Sequence, residues 1–350
     1  MKRCTQIFLV VLLVFGIANG LCAADVRGLI KDGMQGLGIE KGSPNLLALT
    51  NATYVKVNGK TSEAYVEMIR EITGCSIGKG NLLFFHRPIT YPLKIIIFRK
   101  DTKNSVLVTY NGKNADTIKF NMDGNKATEP DGWQQIQEKI GSLSDTFSMV
   151  TIANAWAKGA PYDFLKVCEF HNHLCPGITS GYFIVKVILK RYPLKKGEKY
   201  VWISCPPWCK DDAVQILLDL TPGKRSLFVK NLTPDQKKAI SGEKPNDNIA
   251  GILVVWNNKA KKGKAVAFRY DWGKACEVSG VEKKDFKPKG GKKNPVFWAT
   301  RVKSNWGLMP YLDKPGDFVT VVKEVKVSPQ MYTKMTSAGV NPYEVIGLTE

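Results

Sequence analysis

Thr73-Gly74-Cys75-Ser76-Ile77-Gly78-Lys79 and, further along, Thr221-Pro222-Gly223-Lys224 each close an amphipathic helix and open a set of apolar strands. The first stretch follows a helical pattern over Ser62 to Ile72 and precedes strand-like runs at Leu82 to Phe85 and Leu93 to Phe98. The second follows a helical pattern near Asp211 to Leu220 and precedes Leu227 to Val229 and Ile252 to Trp256. The Gly-Lys pairs lie 145 positions apart, at Gly78 and Gly223, and the order of elements is the same. Spacing and order together predict an ancestral duplication giving two related modules.

Outward from these turns, the polar stretch Asp123 to Asp131 reads as a linker edge. The expected organisation is a leader over 1–24, a first module over 25–125, a second over 126–282 and a C-terminal extension over 283–350 that packs on the second module. Helical patterns at Gln134 to Ile140 and Thr146 to Ala157 are placed at the start of the second module. The tail carries an alternating, strand-like run at Phe318 to Val327.

Lys2 and Arg3, an apolar run from Ile7 to Ile17 and the small residues Ala23 and Ala24 have the layout of a secretory signal peptide cleaved near Ala24. The apolar run is too short to anchor the chain, since spanning a bilayer takes about 20 apolar residues. A soluble periplasmic or extracellular protein is expected. The 350 residues carry a formal net charge of +20, concentrated in Lys259 to Lys264 and Lys283 to Lys293. Nucleic acid is excluded as a partner by export and by the lack of aromatics among the basic stretches. Acidic envelope surfaces or small anionic ligands remain, beside plain solvated loops.

The chemistry concentrates in Cys168-Glu169-Phe170-His171-Asn172-His173-Leu174-Cys175-Pro176-Gly177. On an extended chain His171, His173 and Cys175 point to one face, where two imidazoles and a thiolate can converge. Pro176 suits the first turn of a helix over Ile178 to Tyr192. Cys209, just before the helical run from Asp211, is the preferred fourth metal ligand, because a helix N-terminus favours a thiolate. Cys205 is its competitor. The mixed donor set favours zinc over magnesium or calcium, with iron, nickel or copper remaining open. The alternative is disulfide pairing of Cys168 with Cys175, or of Cys205 with Cys209. Trp208 could line a pocket over the metal, and Asp211 or Asp212 could hold a ligating histidine.

Phe170-His171-Asn172-His173-Leu174-Cys175-Pro176-Gly177 with Gly181-Tyr182, then Cys209, Asp212-Ala213-Val214-Gln215, Thr221 and Gly223-Lys224, resemble the FmdE-type domain, named for a component of formylmethanofuran dehydrogenase. Where Asn172 stands, that family usually shows glycine. The resemblance implies an α+β domain with a mainly antiparallel sheet, a metal held by the His/Cys cluster, and dimerisation. It extends more faintly to residues 61–110, where Ala64 replaces the counterpart of Cys209 and no His-x-His-x-Cys precedes it. The first module is therefore expected to lack metal and to form an intrachain pseudo-dimer with the second, walling the site and presenting Cys75 to it; a homodimer is the other arrangement. Cys75 as a small core residue is the competing expectation. The expected function is transition-metal binding, with a metal-dependent enzyme acting on a small anionic substrate as the alternative.

Overall fold

The computed structural model describes residues 26–240 and 248–349. The expected signal peptide lies outside the described residues. The chain divides into two compact α+β units between Tyr162 and Asp163, and each contains a five-stranded sheet.

In the first unit, helix α1 (26–36) precedes β1 (Leu46–Thr50), the small hairpin β2 (Lys56–Val57) and β3 (Lys60–Thr61), and α2 (Ala64–Thr73). β4 (Leu82–Phe84), β5 (Leu93–Arg99), β6 (Asn104–Tyr110) and β7 (Ala115–Asn121) follow, then α3 (Pro130–Ile140) and α4 (Leu143–Ala157). The sheet order is β4-β1-β5-β6-β7. β1 runs parallel to β4, and the other pairings are antiparallel. β1 and the centre of β5 are continuous apolar runs because both of their faces are buried. At the edge, β7 alternates exposed Asp116 and Lys119 with more covered residues.

Helices α3 and α4 belong to this first unit, so the compact division falls later than the polar stretch near residue 126 suggests. On α4, Asp145 is buried in contact with Arg87 and accepts from Lys94 Nζ at 2.5 Å. Asn154 donates to Met122 O at 2.8 Å and accepts from Gly124 N at 3.0 Å. The polar residues at 123–131 make a turn, but they leave unmarked which sheet the next helices cover.

The second unit contains most of α5 (Tyr162–His171), then α6 (Pro176–Arg191), β8 (Glu198–Ser204), α7 (Lys210–Leu217), β9 (Leu227–Val229) and α8 (Pro234–Lys238). After these come β10 (Ile249–Asn257), β11 (Lys262–Tyr270), α9 (Trp272–Ser279), α10 (Pro295–Leu308), β12 (Val319–Val327), α11 (Pro329–Thr336) and α12 (Pro342–Val345). The sheet order, β9-β8-β10-β11-β12, repeats that of the first unit. Here too the short strand is the parallel one, with β9 beside β8 and the remaining pairs antiparallel. The alternating tail is the edge strand β12, so the C-terminal segment completes this sheet.

The likeness reaches individual hydrogen bonds at the 145-residue offset. Ser76 Oγ accepts from Lys79 N at 3.3 Å, and Thr221 Oγ1 accepts from Lys224 N at 3.1 Å. Ser76 N donates to Asn81 Oδ1 at 3.0 Å, and Thr221 N to Ser226 Oγ at 3.1 Å. The carbonyls of Asn81 and Ser226 then accept from Ala48 N on β1 and Trp202 N on β8. Gly80 and Arg225 share a left-handed backbone, with φ of 67° and 50°. In the first unit this turn is a short 3-10 helix over Ile77–Lys79. Cys75 lies in that unit's core beneath it, fully buried, its thiol donating towards Leu46 O.

Candidate metal centre

His171 is the last residue of α5, and Asn172 turns the chain through a left-handed conformation, φ 71°. Such a turn favours glycine and tolerates asparagine. Cys175 then caps α6 with extended backbone, and Pro176 occupies the first helical turn. The expected strand-like alternation of residues 171, 173 and 175 is therefore absent. The reversal at Asn172 brings together residues four apart, His171 and Cys175, instead.

Across from them, Cys209 caps α7. Gly177 and Gly181, one turn apart on α6, permit this approach. A Cβ at Gly177 would lie 2.8 Å from Cys209 Cβ, and one at Gly181 would lie 2.2 Å from Lys210 O. Both thiols thus stand at helix N-termini, where the backbone field favours thiolates.

One donor atom each from His171, Cys175 and Cys209 falls within 4.8 Å of the others, the only such group among the described residues. His171 Nε2 is 3.6 Å from Cys175 Sγ. Its Nδ1 donates to Asp212 Oδ2 at 2.6 Å, which orients Nε2 towards the thiols. His173 stays outside the group; its ring packs beside that of His171, centroids 4.3 Å apart. Cys205 is buried in the apolar core under the sheet, and Cys168 is buried on α5.

Burial pushes the His171 pKa down, but hydrogen bonds that the imidazole donates to Asp212 and Cys209 outweigh it and raise the group to about 9. The Cys175–Cys209 hydrogen bond is the largest influence on both thiols, lowering the pKa of Cys209 and raising that of Cys175. An imidazole and two thiols match a borderline-soft transition metal and would suit magnesium or calcium poorly. His171, Cys175 and Cys209 are the residues that would hold it.

The two aspartates have separate tasks. Asp212 holds His171. Asp211 accepts from the Trp202 indole at 2.7 Å, Ser204 Oγ at 2.6 Å and Trp208 N at 3.0 Å. Buried Lys210 pairs with Asp211 at 2.8 Å and lies 3.9 Å from the Trp208 ring centroid. The Trp208 indole also donates to Ser180 on α6 at 3.3 Å. These bonds fix Trp208 as a wall of a cavity of about 660 Å³ that also reaches Cys175 and Cys209.

The contribution of α10 was hidden from the sequence. Its Asn305 donates to Leu174 O at 2.8 Å, holding the loop next to Cys175, and Arg301, one turn earlier, enters the same cavity. The four-residue spacing was the available signal, but nothing local tied this helix to the His/Cys loop. α10 closes against α9 where a Cβ on Gly307 would meet Ser279 Cα at 2.4 Å.

Fold and donor cluster together define an α+β domain with a cluster compatible with metal binding. Residues 170–304 match the family described as "FmdE, Molybdenum formylmethanofuran dehydrogenase operon". The matched span takes in the His/Cys loop, Cys209 and most of α10. No curated protein matches the chain. Among the described residues, no helix is long and apolar enough to cross a membrane.

Proposed function

We propose that the chain is an exported metal-binding protein whose second unit holds a transition metal, zinc in the first instance, through His171, Cys175 and Cys209. The observation that carries this reading is the convergence of those three donors, with Asp212 orienting the imidazole. Two thiolates and an imidazole suit zinc, and its missing fourth donor is either His173 or a ligand from the adjoining cavity. The cavity favours the latter, because closed structural sites seldom face an open space. A metal with an open position would act as a Lewis acid or activate a bound water. Export rests on the first 24 residues. The matching turns of the two units support a common origin, with the first unit keeping the scaffold without the metal site.

Elemental analysis of protein isolated from its native compartment tests the assignment. One equivalent of zinc, lost in Cys209→Ala and retained in His173→Ala, is expected. Unchanged metal in Cys209→Ala would overturn the ligand set. Loss in His173→Ala would close the fourth position with protein.

A further inference from the structure

Resting on the metal reading above, we propose that the cavity beside the cluster binds a small organic carboxylate, its carboxylate on Arg301 and a second donor atom on the metal. The thiols of Cys175 and Cys209 form part of the lining, and Trp208, Trp272 and Phe286 supply aromatic surface. Three cations, Lys283, Lys287 and Arg301, also line the space, and among the described residues no aspartate or glutamate does. A volume of about 660 Å³ lies within the range of small-molecule sites and leaves room for more than an inorganic oxyanion.

Arg301 carries the argument for a carboxylate. Its Nη1 donates to Phe297 O at 2.6 Å and its Nη2 to Phe286 O at 3.1 Å. The guanidinium also lies 3.4 Å from the Phe297 ring centroid and 5.4 Å from that of Phe286. The planar fork is thereby held still, while three of its five N–H donors stay uncommitted and no carboxylate among the described residues pairs with it. A fixed guanidinium with donors to spare matches the two oxygens of a carboxylate. Burial lowers the Arg301 pKa to about 10, against the opposing pull of the neighbouring sulfurs of the cluster.

The aromatic lining selects an anion with a flat apolar body. Trp208 and Trp272 stand 6.2 Å apart between centroids, tilted by 59°, and Pro206 and Pro207 extend the apolar surface. An inorganic ion would reach the cation and leave this surface unused.

The test uses the full chain loaded with cobalt(II) in place of zinc. The probes are 4-mercaptobenzoate, whose para geometry disfavours chelation and stripping of the metal, and thiophenol, which lacks the carboxylate. Sulfur-to-cobalt absorption reports ligation. On the unmutated protein, 4-mercaptobenzoate is expected to bind at least about tenfold more tightly than thiophenol, the scale of a charge-assisted pair. Arg301→Gln should remove that advantage, and Lys287→Gln should reduce it about threefold. Equal affinities for the two probes, or an undiminished advantage in a folded Arg301→Gln protein, would overturn the proposal. Competition by sulfate as effective as by benzoate would also overturn it, showing a general oxyanion site. Failure to take up cobalt overturns the metal reading instead. Benzoate quenching of tryptophan fluorescence, lost in Arg301→Gln, then supports the carboxylate pocket by itself, and absence of quenching sinks it.

Discussion

The turns at Ser76 to Asn81 and Thr221 to Ser226 keep the same hydrogen bonds, whereas the helix ends before them do not carry the same chemistry. At the offset that aligns the turns, Ala64 at the start of α2 stands where Cys209 caps α7, and Glu67 stands where Asp212 holds His171. In the first unit Glu67 is exposed and pairs with Arg70 on its own helix. The contrast shows how differently scaffold and chemistry are encoded. The turn relies mainly on backbone groups and short polar side chains that several residue types can supply. The metal centre needs particular donor atoms, and one alanine is enough to remove one of them.

The sharpest way to break this comparison is to exchange the decisive residue. Cys209→Ala should abolish stoichiometric metal binding, while Ala64→Cys should add none, because a single thiol lacks its imidazole and second thiolate. Metal-to-protein ratios after exhaustive dialysis decide both. Zinc on Ala64→Cys beyond that of the unmutated chain would mean that the first unit retains more of a site than its sequence suggests.

Next in size is the ion cluster of the first unit. Asp145→Ala leaves buried Arg87 without its counter-charge and should cost about 3–5 kcal/mol in chemical denaturation, with the metal of the second unit retained. A loss below about 1 kcal/mol would show that the site relaxes or admits water. In the second unit, Gly181→Ala forces a Cβ against the Lys210 carbonyl and should cost about 1–3 kcal/mol while weakening metal binding. Gly33→Ala on α1 meets only the Val106 side chain, at 3.1 Å. That change should be close to neutral, since alanine gains about 1 kcal/mol of helix propensity. Paired melting curves with and without zinc separate the two outcomes.

The smallest effects concern the turns themselves. Gly80→Ala should lose about 1 kcal/mol to the left-handed backbone. Arg225→Gly should gain less than about 1 kcal/mol, because the freer unfolded chain offsets part of the relief. Opposite signs would confirm that the turns are equivalent in energy as well as in geometry, and equal signs would part them.

Much of this architecture was legible in the sequence. The two Gly-Lys turns, the apolar strands beside them and the alternating run ending at Val327 all report local periodicity, and the corresponding strands lie within a few residues of where they were expected. His171, Cys175 and Cys209 were also legible as residue types. Their convergence was expected as well, but from an extended chain that included His173; the actual route was not legible, because it depends on a left-handed Asn172 and on two glycines of α6 that let another helix approach. Arg301 was hidden for the same reason: it lies 126 positions after Cys175, and only the packing of α10 brings it there. The compact boundary escaped detection because α3 and α4 follow a polar turn yet cover the preceding sheet.

The outer strands β7 and β12 have a bearing on solubility. Each ends its sheet, and each carries charge along it: Asp116 and Lys119 on β7, Lys323, Glu324 and Lys326 on β12. Charged side chains on an open edge discourage strand addition from a neighbouring molecule. At these two edges, addition of a strand from a neighbouring molecule would have to bury charge, which disfavours it.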